Sequence, residues 1–283
     1  MNSAPNPWLI HGVPHAVSPR ALVMGIVNVT PDSFSDGGRF LDAGRAVEHG
    51  LRLLSEGADI LDIGGESTRP GAEPVSAEDE IHRVIPVLRG LRSQTRALLS
   101  IDTMKAAVAR AALAAGADII NDVTGFCGDP GMLQVAADST AGLVVMHMRG
   151  IPATKQEAPH YYDVVGELRH YFERRRHALP TDACRIVVDP AFGCGNTLEH
   201  TLLLLPHLPE LRVAERPLLV GISRKSMLSR LTGLESMEDR YWPTVALTAW
   251  LREQGANIHR VHDVAANTQS LRMIEAILHG VKG

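Results

Sequence analysis

Met24-Gly25-Ile26-Val27-Asn28-Val29-Thr30-Pro31-Asp32-Ser33 is the stretch of sequence that decides the fold. An apolar run ends abruptly at Asn28, and a polar loop follows that contains two acids, one aromatic ring and a closing Gly37-Gly38 pair. Scaffolds commonly present functional side chains on a loop that hangs from the end of a buried strand. Pro-Asp and Gly-Gly are also ordinary turn signals, so this stretch alone fits either a functional loop or a solvated turn.

The same alternation of short apolar runs and longer helical patterns continues to the end of the chain. Most of the apolar runs are β-branched and nearly continuous, as strands buried on both faces of a sheet are. They occupy residues 22–27, 59–63, 98–101, 118–121, 142–147, 185–189, 217–222 and 257–261. Helical patterns occupy residues 42–55, 76–92, 104–115, 130–138, 160–179, 197–205, 239–254 and 264–280. Eight strands alternating with eight helices predict an α/β fold, a closed (β/α)8 TIM barrel in a single domain.

A weak internal repeat supports the barrel. Gly57-Ala58-Asp59-Ile60, Gly116-Ala117-Asp118-Ile119 and Gly255-Ala256-Asn257-Ile258 each end a helical pattern and open a strand. Glycine suits the left-handed position just after a helix. The alternative, a doubly wound open sheet, is weaker because no G-x-G-x-x-G follows the first strand. Short apolar patches ahead of the barrel predict a small hairpin, so we divide the chain into an N-terminal extension, residues 1–20, and a barrel, residues 21–283.

Length and charge narrow the class of protein. A chain of 283 residues with a formal net charge of −4 fits a single α/β barrel, and the mild acidity argues against nucleic-acid binding. Its three cysteines form no C-x-x-C pair, which fits a reducing cytosol. No secretory signal is evident, and no apolar run reaches the roughly 18 residues of a membrane span. We therefore expect a cytoplasmic protein.

Polar residues stand at the carboxyl end of every predicted strand, which is the end where barrels of this type build their active sites. An ordinary surface loop could supply any one of these residues, whereas a complete ring of them is difficult to attribute to coincidence. They are Asn28, Asp62, Asp102, Asn121, His147, Asp189, Ser223 with Lys225, and Arg260 with His262.

The last two strand ends indicate an anion site. Arg260 and His262 are two residues apart on one strand and therefore project from the same face. An arginine offers a planar fork of donors that suits phosphate or pyrophosphate oxygens. The run 221–226 leads from a strand into a helix start, which would place backbone N–H groups and Lys225 beside an anion or a carbonyl. A solvated helix start is the alternative for Lys225 and Arg224.

Three further strand ends indicate a flat polar ligand. Two carboxylates, Asp102 and Asp189, and the amide of Asn121 match a heterocycle that presents an amino–amide edge. Buried polar groups need such partners, because desolvation without a hydrogen bond costs free energy. Met148 could line the face of the ring or simply fill the core. Asp102 could instead cap the following helix.

The sequence motifs predict a magnesium site rather than a zinc site. No H-E-x-x-H or H-x-x-E-H motif occurs, so zinc is not predicted. Asn28, together with loop acids beside a pyrophosphate, would suit Mg²⁺, which binds few protein oxygens and keeps phosphate and water ligands. The loop at residues 64–71 adds glycines and a Thr-Arg pair that could close over a substrate.

In order and spacing, the motifs of residues 21–280 resemble those of the dihydropteroate synthases of folate biosynthesis. The motifs that carry the resemblance are Gly25-Ile26-Val27-Asn28-Val29-Thr30-Pro31-Asp32-Ser33-Phe34-Ser35-Asp36-Gly37-Gly38, Asp62-Ile63-Gly64-Gly65-Glu66-Ser67-Thr68-Arg69-Pro70, Ser100-Ile101-Asp102-Thr103, Ile120-Asn121-Asp122, Met146-His147-Met148, Asp189-Pro190, Gly221-Ile222-Ser223-Arg224-Lys225-Ser226 and Arg260-Val261-His262-Asp263-Val264.

The resemblance implies condensation of 6-hydroxymethyl-7,8-dihydropterin pyrophosphate with p-aminobenzoate, by a dissociative substitution in a sulfonamide-sensitive class of transferase. It implies Mg²⁺ at Asn28 and a homodimer, with no nucleic-acid or membrane partner. The pterin residues would be Asp102, Asn121, Met148, Asp189, Gly221 and Lys225. The pyrophosphate residues would be Asn28, Arg260 and His262. The p-aminobenzoate residues would be Phe34, Asp36, Thr68, Arg69, Pro70 and Ser226. The catalytic residues would be Asp102, Asp189, Lys225 and Arg260.

One departure from the family keeps other functions open. After Asp189-Pro190 the family usually has Gly-Phe-Gly-Phe-Gly-Lys or a close variant, whereas this chain has Ala191, Cys194 and Asn196 at the differing positions. We expect a wider or weaker p-aminobenzoate site and altered sulfonamide sensitivity. The alternatives are a pterin-binding homologue without synthase activity, a Schiff-base lyase that uses Lys225, and a corrinoid methyltransferase of the same fold.

Overall fold

The structure is a computed structural model that describes residues 5–29, 39–67, 72–148, 160–234 and 236–280, except for the side chains of residues 39–42. The strands are β1 (Trp8–Ile10), β2 (Val13–His15), β3 (Leu22–Asn28), β4 (Ile60–Gly64), β5 (Leu98–Asp102), β6 (Ile119–Asp122), β7 (Gly142–Met146), β8 (Ile186–Asp189), β9 (Leu219–Val220) and β10 (Ile258–Val261). The helices are α1 (Arg39–Ser55), α2 (Ala77–Arg92), α3 (Ala106–Ala114), α4 (Gly131–Asp138), α5 (Val164–Ala178), α6 (Leu198–Leu204), α7 (Ser226–Thr232), α8 (Tyr241–Glu253) and α9 (Val264–His279).

Strands β3 to β10 form one parallel sheet in the order β8-β7-β6-β5-β4-β3-β10-β9. A parallel bridge between Val188 and Leu218 joins its two edge strands, and the backbone N–H of Val188 donates to the carbonyl of Pro217 at 3.1 Å. The predicted (β/α)8 barrel is therefore confirmed. β9 is shorter than predicted, because Pro217 lacks an N–H for the ladder and the chain leaves the sheet at Gly221.

The repeated glycines occupy the backbone conformation that the sequence predicts. Gly57, Gly116 and Gly255 have φ angles of +108°, +103° and +94°, a region that glycine enters without a steric penalty. The sequence patterns include no separate pattern for α7, although they predict a helix start near Lys225. Throughout the described ranges, no helix is both long enough and apolar enough to cross a bilayer.

The bottom of the barrel is closed by the N-terminal hairpin, whose presence confirms that prediction. β1 and β2 pair antiparallel, with Trp8 opposite His15. Trp8 and Ile10 are buried in one cluster with Met24, Ile60 and the other inward residues of the lower barrel. The Trp8 indole donates to the carbonyl of Arg185 at 2.8 Å. The division between residues 1–20 and 21–283 stays a prediction.

The alternation of side chains along each strand turns this apolar floor into a polar upper layer. On β4, Ile60 belongs to the lower cluster, and Asp62, two residues further on, projects from the same face. On β10, Ile258 and Arg260 have the same relationship. The register places Asp62 opposite Ser100 and Asp102 opposite Asn121. Polar side chains therefore meet inside the barrel at its carboxyl end.

Candidate active site

Arg260 lies at the centre of the polar layer. Its Nε donates to Oδ2 of Asp62 at 2.6 Å, and its Nη2 donates to Oδ2 of Asp102 at 2.7 Å. The Asn121 amide donates to the same Asp62 oxygen at 3.0 Å. Asp62 is completely buried. One cation, two carboxylates and one amide from four strands thus form a connected network at the mouth of the barrel.

The network changes the proton affinities of its members. Burial raises the pKa of Asp102 to about 7; Arg260 opposes this shift, while Asp62 and Glu80 add to it. Burial disfavours the charge on Arg260, but Asp62 and Asp102 outweigh that effect and raise its pKa. Arg260 therefore stays charged, and Asp102 can exchange a proton near neutral pH.

Two buried polar atoms of the upper layer have spare hydrogen-bonding capacity. Among the described residues, Oδ1 of Asp62 and Oγ of Ser100 have no hydrogen-bond partner. Buried polar atoms of folded proteins are nearly always paired with protein, water or ligand. This part of the interior is therefore suited to a polar ligand or ordered water.

Asp189 and Lys225 form a second part of the site. Asp189 Oδ1 accepts from the backbone N–H of Ala191 at 2.7 Å. Burial raises the pKa of Asp189, and the charge of Lys225 and the Ala191 hydrogen bond oppose this shift. Lys225 Nζ donates to the carbonyl of Phe192 at 2.5 Å and lies 3.5 Å from Sγ of Cys194. Lys225 therefore lies over the loop that follows β8.

The residues that differ from the family pattern have defined surroundings. Ala191 has a φ of +59°, in the region that favours glycine. Asn196 is buried and its amide donates to the carbonyl of Ala191 at 3.3 Å. Its Oδ1 has no partner among the described residues. Cys194 is beside Lys225, so two of the three substitutions border a predicted pterin residue.

His262 is fixed at the end of β10 by a serine. Oγ of Ser223 accepts from the backbone N–H of His262 at 3.1 Å and lies 3.0 Å from its Nδ1. Gly221 lies close to Arg260, because a Cβ at Gly221 would be 3.8 Å from the Arg260 Cβ. The turn after β9 and the end of β10 therefore contact each other beside the central arginine.

The other predicted site residues are at the same end of the barrel. Asn28 ends β3 opposite Gly64, and Gly64 lies against the Asp102 side chain. Met148 follows β7 and is half-buried, while Ser226 begins α7 and is exposed. The predicted p-aminobenzoate residues Phe34, Asp36, Thr68, Arg69 and Pro70 lie outside the described residues.

Sequence reasoning missed the role of Asp62 and a second ionic cluster. The strand-end pattern gives Asp62 no function, although Asp62 projects from the same face of β4 as the inward residue Ile60. Lys105 Nζ donates to Glu66 Oε2 at 2.6 Å and to Glu80 Oε2 at 2.5 Å. The other Glu66 oxygen accepts from the backbone N–H of Val75 at 3.0 Å, so this cluster joins the two ends of the loop after β4.

The donor set fits magnesium only if the substrate supplies most of the ligands. Within the described ranges, no group of three or more His, Cys, Asp or Glu side chains could hold a metal ion. Asn28 offers one amide oxygen beside the polar network. Mg²⁺ commonly uses one or two protein oxygens, substrate phosphates and water, so Asn28 is compatible with a substrate-borne ion.

Comparisons with known proteins give the class. The family model for pterin binding enzymes matches residues 24–262. The chain is 44% identical over 264 residues to a dihydropteroate synthase of Synechocystis, covering 91% of this chain and 90% of the relative. The chain therefore belongs to the pterin binding enzyme family and, within that family, to the dihydropteroate synthases.

Solved structures agree with this assignment. The dihydropteroate synthase of Xanthomonas albilineans with 4-aminobenzoic acid has a TM-score of 0.89 and 46% identity, over 97% of this chain and 99% of that one. The Yersinia pestis enzyme in a sulfonamide drug complex has a TM-score of 0.89 and 41% identity, over 96% and 99%. The resemblance found in the motifs thus extends to the whole barrel.

Proposed function

We propose that this chain condenses 6-hydroxymethyl-7,8-dihydropterin pyrophosphate with p-aminobenzoate to give 7,8-dihydropteroate and pyrophosphate. The observation that carries the proposal is the Asp62–Arg260–Asp102 network at the mouth of a barrel of this family. It combines acceptors for an electron-poor ring with a cation for a leaving anion.

The carboxylates and the amide would hold the pterin. Asp102, Asn121 and Asp189 offer acceptors and donors to the amino–amide edge of the ring, and Lys225 offers a donor to its carbonyl side. Gly221 leaves space beside Arg260, and Met148 would contact the ring face. A ligand of this kind would also give the unpaired oxygen of Asp62 a donor.

The charges would promote departure of the pyrophosphate. When the C–O bond to the pyrophosphate breaks, positive charge develops on the pterin and negative charge on the leaving group. The carboxylates of Asp62, Asp102 and Asp189 would stabilise the positive charge on the pterin. Arg260 and His262 would stabilise the negative charge on the leaving pyrophosphate. With both its carboxylates ionised, the Asp62–Arg260–Asp102 group carries a formal charge of −1, so an added cation would help the anion to bind. Mg²⁺ at Asn28 would supply that charge and neutralise the leaving pyrophosphate.

The second substrate would complete the substitution. The p-aminobenzoate nitrogen forms the new C–N bond to the pterin methylene and loses one proton. Ser226, with Phe34, Asp36, Thr68, Arg69 and Pro70, would hold its carboxylate and ring. No covalent enzyme intermediate is required. Lys225 Nζ donates to the Phe192 carbonyl, whereas a Schiff-base lyase needs this nitrogen to attack a substrate carbonyl.

We also propose a homodimer in the cytoplasm. Large apolar side chains are exposed on α8 and α9, including Trp242, Met273 and Ile277, and such patches commonly mark association surfaces. Cys127, Cys184 and Cys194 form no disulfide, which fits a reducing compartment. Sedimentation at micromolar concentration would test the dimer, with a Met273→Glu, Ile277→Glu variant expected to be monomeric.

The decisive assay is pyrophosphate release from the pterin pyrophosphate, with and without p-aminobenzoate and Mg²⁺. We expect release to require Mg²⁺ and product to form only with p-aminobenzoate. Tight pterin pyrophosphate binding without turnover would instead support the non-synthesising homologue. Reduction by borohydride in the presence of a carbonyl substrate should trap no adduct, and an adduct on Lys225 would support the lyase.

A further inference from the structure

Arg224 immediately precedes the proposed pterin residue Lys225 and has a strained backbone. Its φ is +55°, a left-handed value that costs free energy for any residue with a Cβ. The surrounding structure must therefore hold it there. The backbone N–H and carbonyl of Arg224, and the Nε and Nη2 of its side chain, all have hydrogen-bond partners.

The backbone of Arg224 is hydrogen-bonded to residues of α8 and of the turn that precedes α8. Its N–H donates to Oγ1 of Thr244 at 3.1 Å, and its carbonyl accepts from Nη1 of Arg240 at 3.0 Å. Thr244 is completely buried and in turn donates to the Arg240 carbonyl at 2.6 Å. These contacts fix the direction in which the chain leaves β9.

The side chain of Arg224 is held from the turn after β10. Its Nε lies 2.9 Å from Oδ2 of Asp263, and its Nη2 lies 2.5 Å from Oδ1. This is the two-bond fork that arginine forms with a carboxylate. Asp263 is the N-cap residue of α9, yet its side chain makes no capping hydrogen bond and instead binds Arg224 through both oxygens.

The fork is the second of two consecutive links between these turns. Ser223 contacts His262 through its hydroxyl, and Arg224 contacts Asp263 one residue further along both segments. Lys225 and His262, which the proposed function assigns to the pterin and the pyrophosphate, lie on the two linked turns. Their relative position thus depends on the link.

We propose that Arg224 and Asp263 are positioning residues that set Lys225 against His262, so that one substrate can contact both. The inference rests on the proposed function, because that function gives Lys225 and His262 a common ligand. A fixed relative position matters because a displacement of about 1 Å can cost on the order of 100-fold in rate.

The test compares Arg224→Lys, Asp263→Asn and the double variant with the wild type. Arg224→Lys keeps the charge but not the fork, and Asp263→Asn keeps the shape. Each single variant should weaken calorimetric binding of the pterin pyrophosphate and lower kcat/KM by about 10- to 100-fold. Because both act through one pair, the double variant should be no worse than the poorer single variant.

A matched control is the ion pair between Arg252 and Glu275, which joins α8 to α9 at the bottom of the barrel, away from the two linked turns. Arg252 Nε donates to Oε1 of Glu275 at 3.0 Å and its Nη2 donates to the Pro19 carbonyl. Arg252→Lys should lower Tm and leave the binding constant within about twofold of the wild type, the ordinary scatter of independent sites.

Three outcomes would overturn the positioning role: unchanged binding in Asp263→Asn, additive losses in the double variant, or losses that Arg252→Lys reproduces at the same Tm. Binding and turnover of the wild type distinguish a failure of the positioning role from a failure of the proposed function. Binding without turnover in the wild type counts against the synthase, while the ratio of variant to wild-type affinity still decides the role of the pair. A wild type that does not bind the pterin pyrophosphate overturns both.

Discussion

Arg260 donates from Nη2 to Oδ2 of Asp102 at 2.7 Å across the mouth of the barrel, although the two residues are 158 positions apart. The contact joins the last strand of the sheet to the third barrel strand. It also places a permanently charged guanidinium against a carboxyl group whose pKa is raised to about 7. This pair therefore makes the protonation state of the site sensitive to pH near neutrality.

The first prediction concerns the stability of an Asp102→Asn variant as a function of pH. The raised pKa means that the folded protein holds a proton on Asp102 that the unfolded chain, with an ordinary carboxyl pKa, has released. The stability that the Asp102 proton contributes is fully present below the carboxyl pKa of the unfolded chain. It is lost as the pH rises through the folded-state pKa of about 7. Between pH 5 and 8, the wild type should lose on the order of 2–3 kcal/mol of unfolding free energy relative to the variant, since about two pH units separate pH 5 from the raised pKa.

Urea unfolding at a series of pH values measures this difference. The neutral amide removes the titration of residue 102 but leaves Asp122 and Asp189, whose pKa values are also raised by burial, in both proteins. A difference between the two proteins that stays constant from pH 5 to 8 would contradict the raised pKa of Asp102.

The second prediction is that Lys225→Met lowers kcat/KM by about 100- to 1000-fold, as removal of a single charge-stabilising donor often does. Lys225 reaches the loop after β8 and influences the pKa of Asp189, so its loss should also weaken pterin pyrophosphate binding. Arg230→Ala is a suitable control, because Arg230 is an exposed cation on α7, the helix that Lys225 immediately precedes. Steady-state kinetics with both substrates should show little change in the control, and equal losses in both variants would exclude a specific role.

The strand ends of this site could be predicted because two simple rules operate together. Parallel strands of a barrel end at one rim, and alternate residues share a face. Those rules place Asp102, Asn121 and Arg260 near one another without any knowledge of their contacts. The rules do not say which side chain pairs with which. Asp62, which accepts two of the hydrogen bonds, therefore had no predicted role.

Features that depend on long-range contacts could not be predicted. The positive φ of Arg224 results from contacts with Thr244, Arg240 and Asp263, all distant in sequence. Asp263 looks like an ordinary N-cap by position, and only the structure shows that Arg224 occupies its carboxylate. Local propensity is a weak guide wherever tertiary contacts override it.

The third prediction concerns Lys105, which lies between the partly buried carboxylate of Glu66 and the fully buried carboxylate of Glu80. Lys105→Met should destabilise the protein by about 3–5 kcal/mol, because Glu80 would remain buried and charged without its partner. Glu80 is completely buried, and among the described residues its Oε1 already lacks a hydrogen bond. Thermal and urea unfolding would measure the loss.

The double variant Lys105→Met, Glu80→Gln provides the control for that mechanism. A neutral amide at position 80 removes the buried charge, so the double variant should lose less stability than Lys105→Met alone. Equal stability of the two would show that packing of the lysine chain, and not the uncompensated charge, determines the loss.

The fourth prediction is that Ala191→Gly stabilises the protein by roughly 0.5–1 kcal/mol. Alanine at a φ of +59° costs about 1–2 kcal/mol relative to glycine, and the greater freedom of glycine in the unfolded chain offsets about half of that gain. Ala214→Gly is a second test of the same effect, because Ala214 has a φ of +45° in the turn before β9. Both should raise the urea midpoint, and a decrease in both would contradict the assigned backbone strain.

The fifth prediction tests the departure from the family in the loop after β8. Cys194→Phe should lower the KM for p-aminobenzoate and strengthen sulfonamide inhibition, because the larger ring would narrow the pocket beside Lys225, whose Nζ is 3.5 Å from the Cys194 sulfur. Cys184→Ser controls for the loss of a thiol. Cys184 lies in the turn before β8, at the end of that strand opposite to the site.

Asn196→Lys should be added to Cys194→Phe only after the single variant has been measured. Asn196 is 7% exposed, so a lysine there must either reach solvent along its flexible stem or bury a charge. If the family cation binds p-aminobenzoate or its sulfonamide analogues, the double variant should lower the p-aminobenzoate KM and the sulfonamide inhibition constant below those of Cys194→Phe. An unchanged KM and an unchanged inhibition constant in both variants would mean that the Cys194 and Asn196 substitutions do not weaken the second-substrate site.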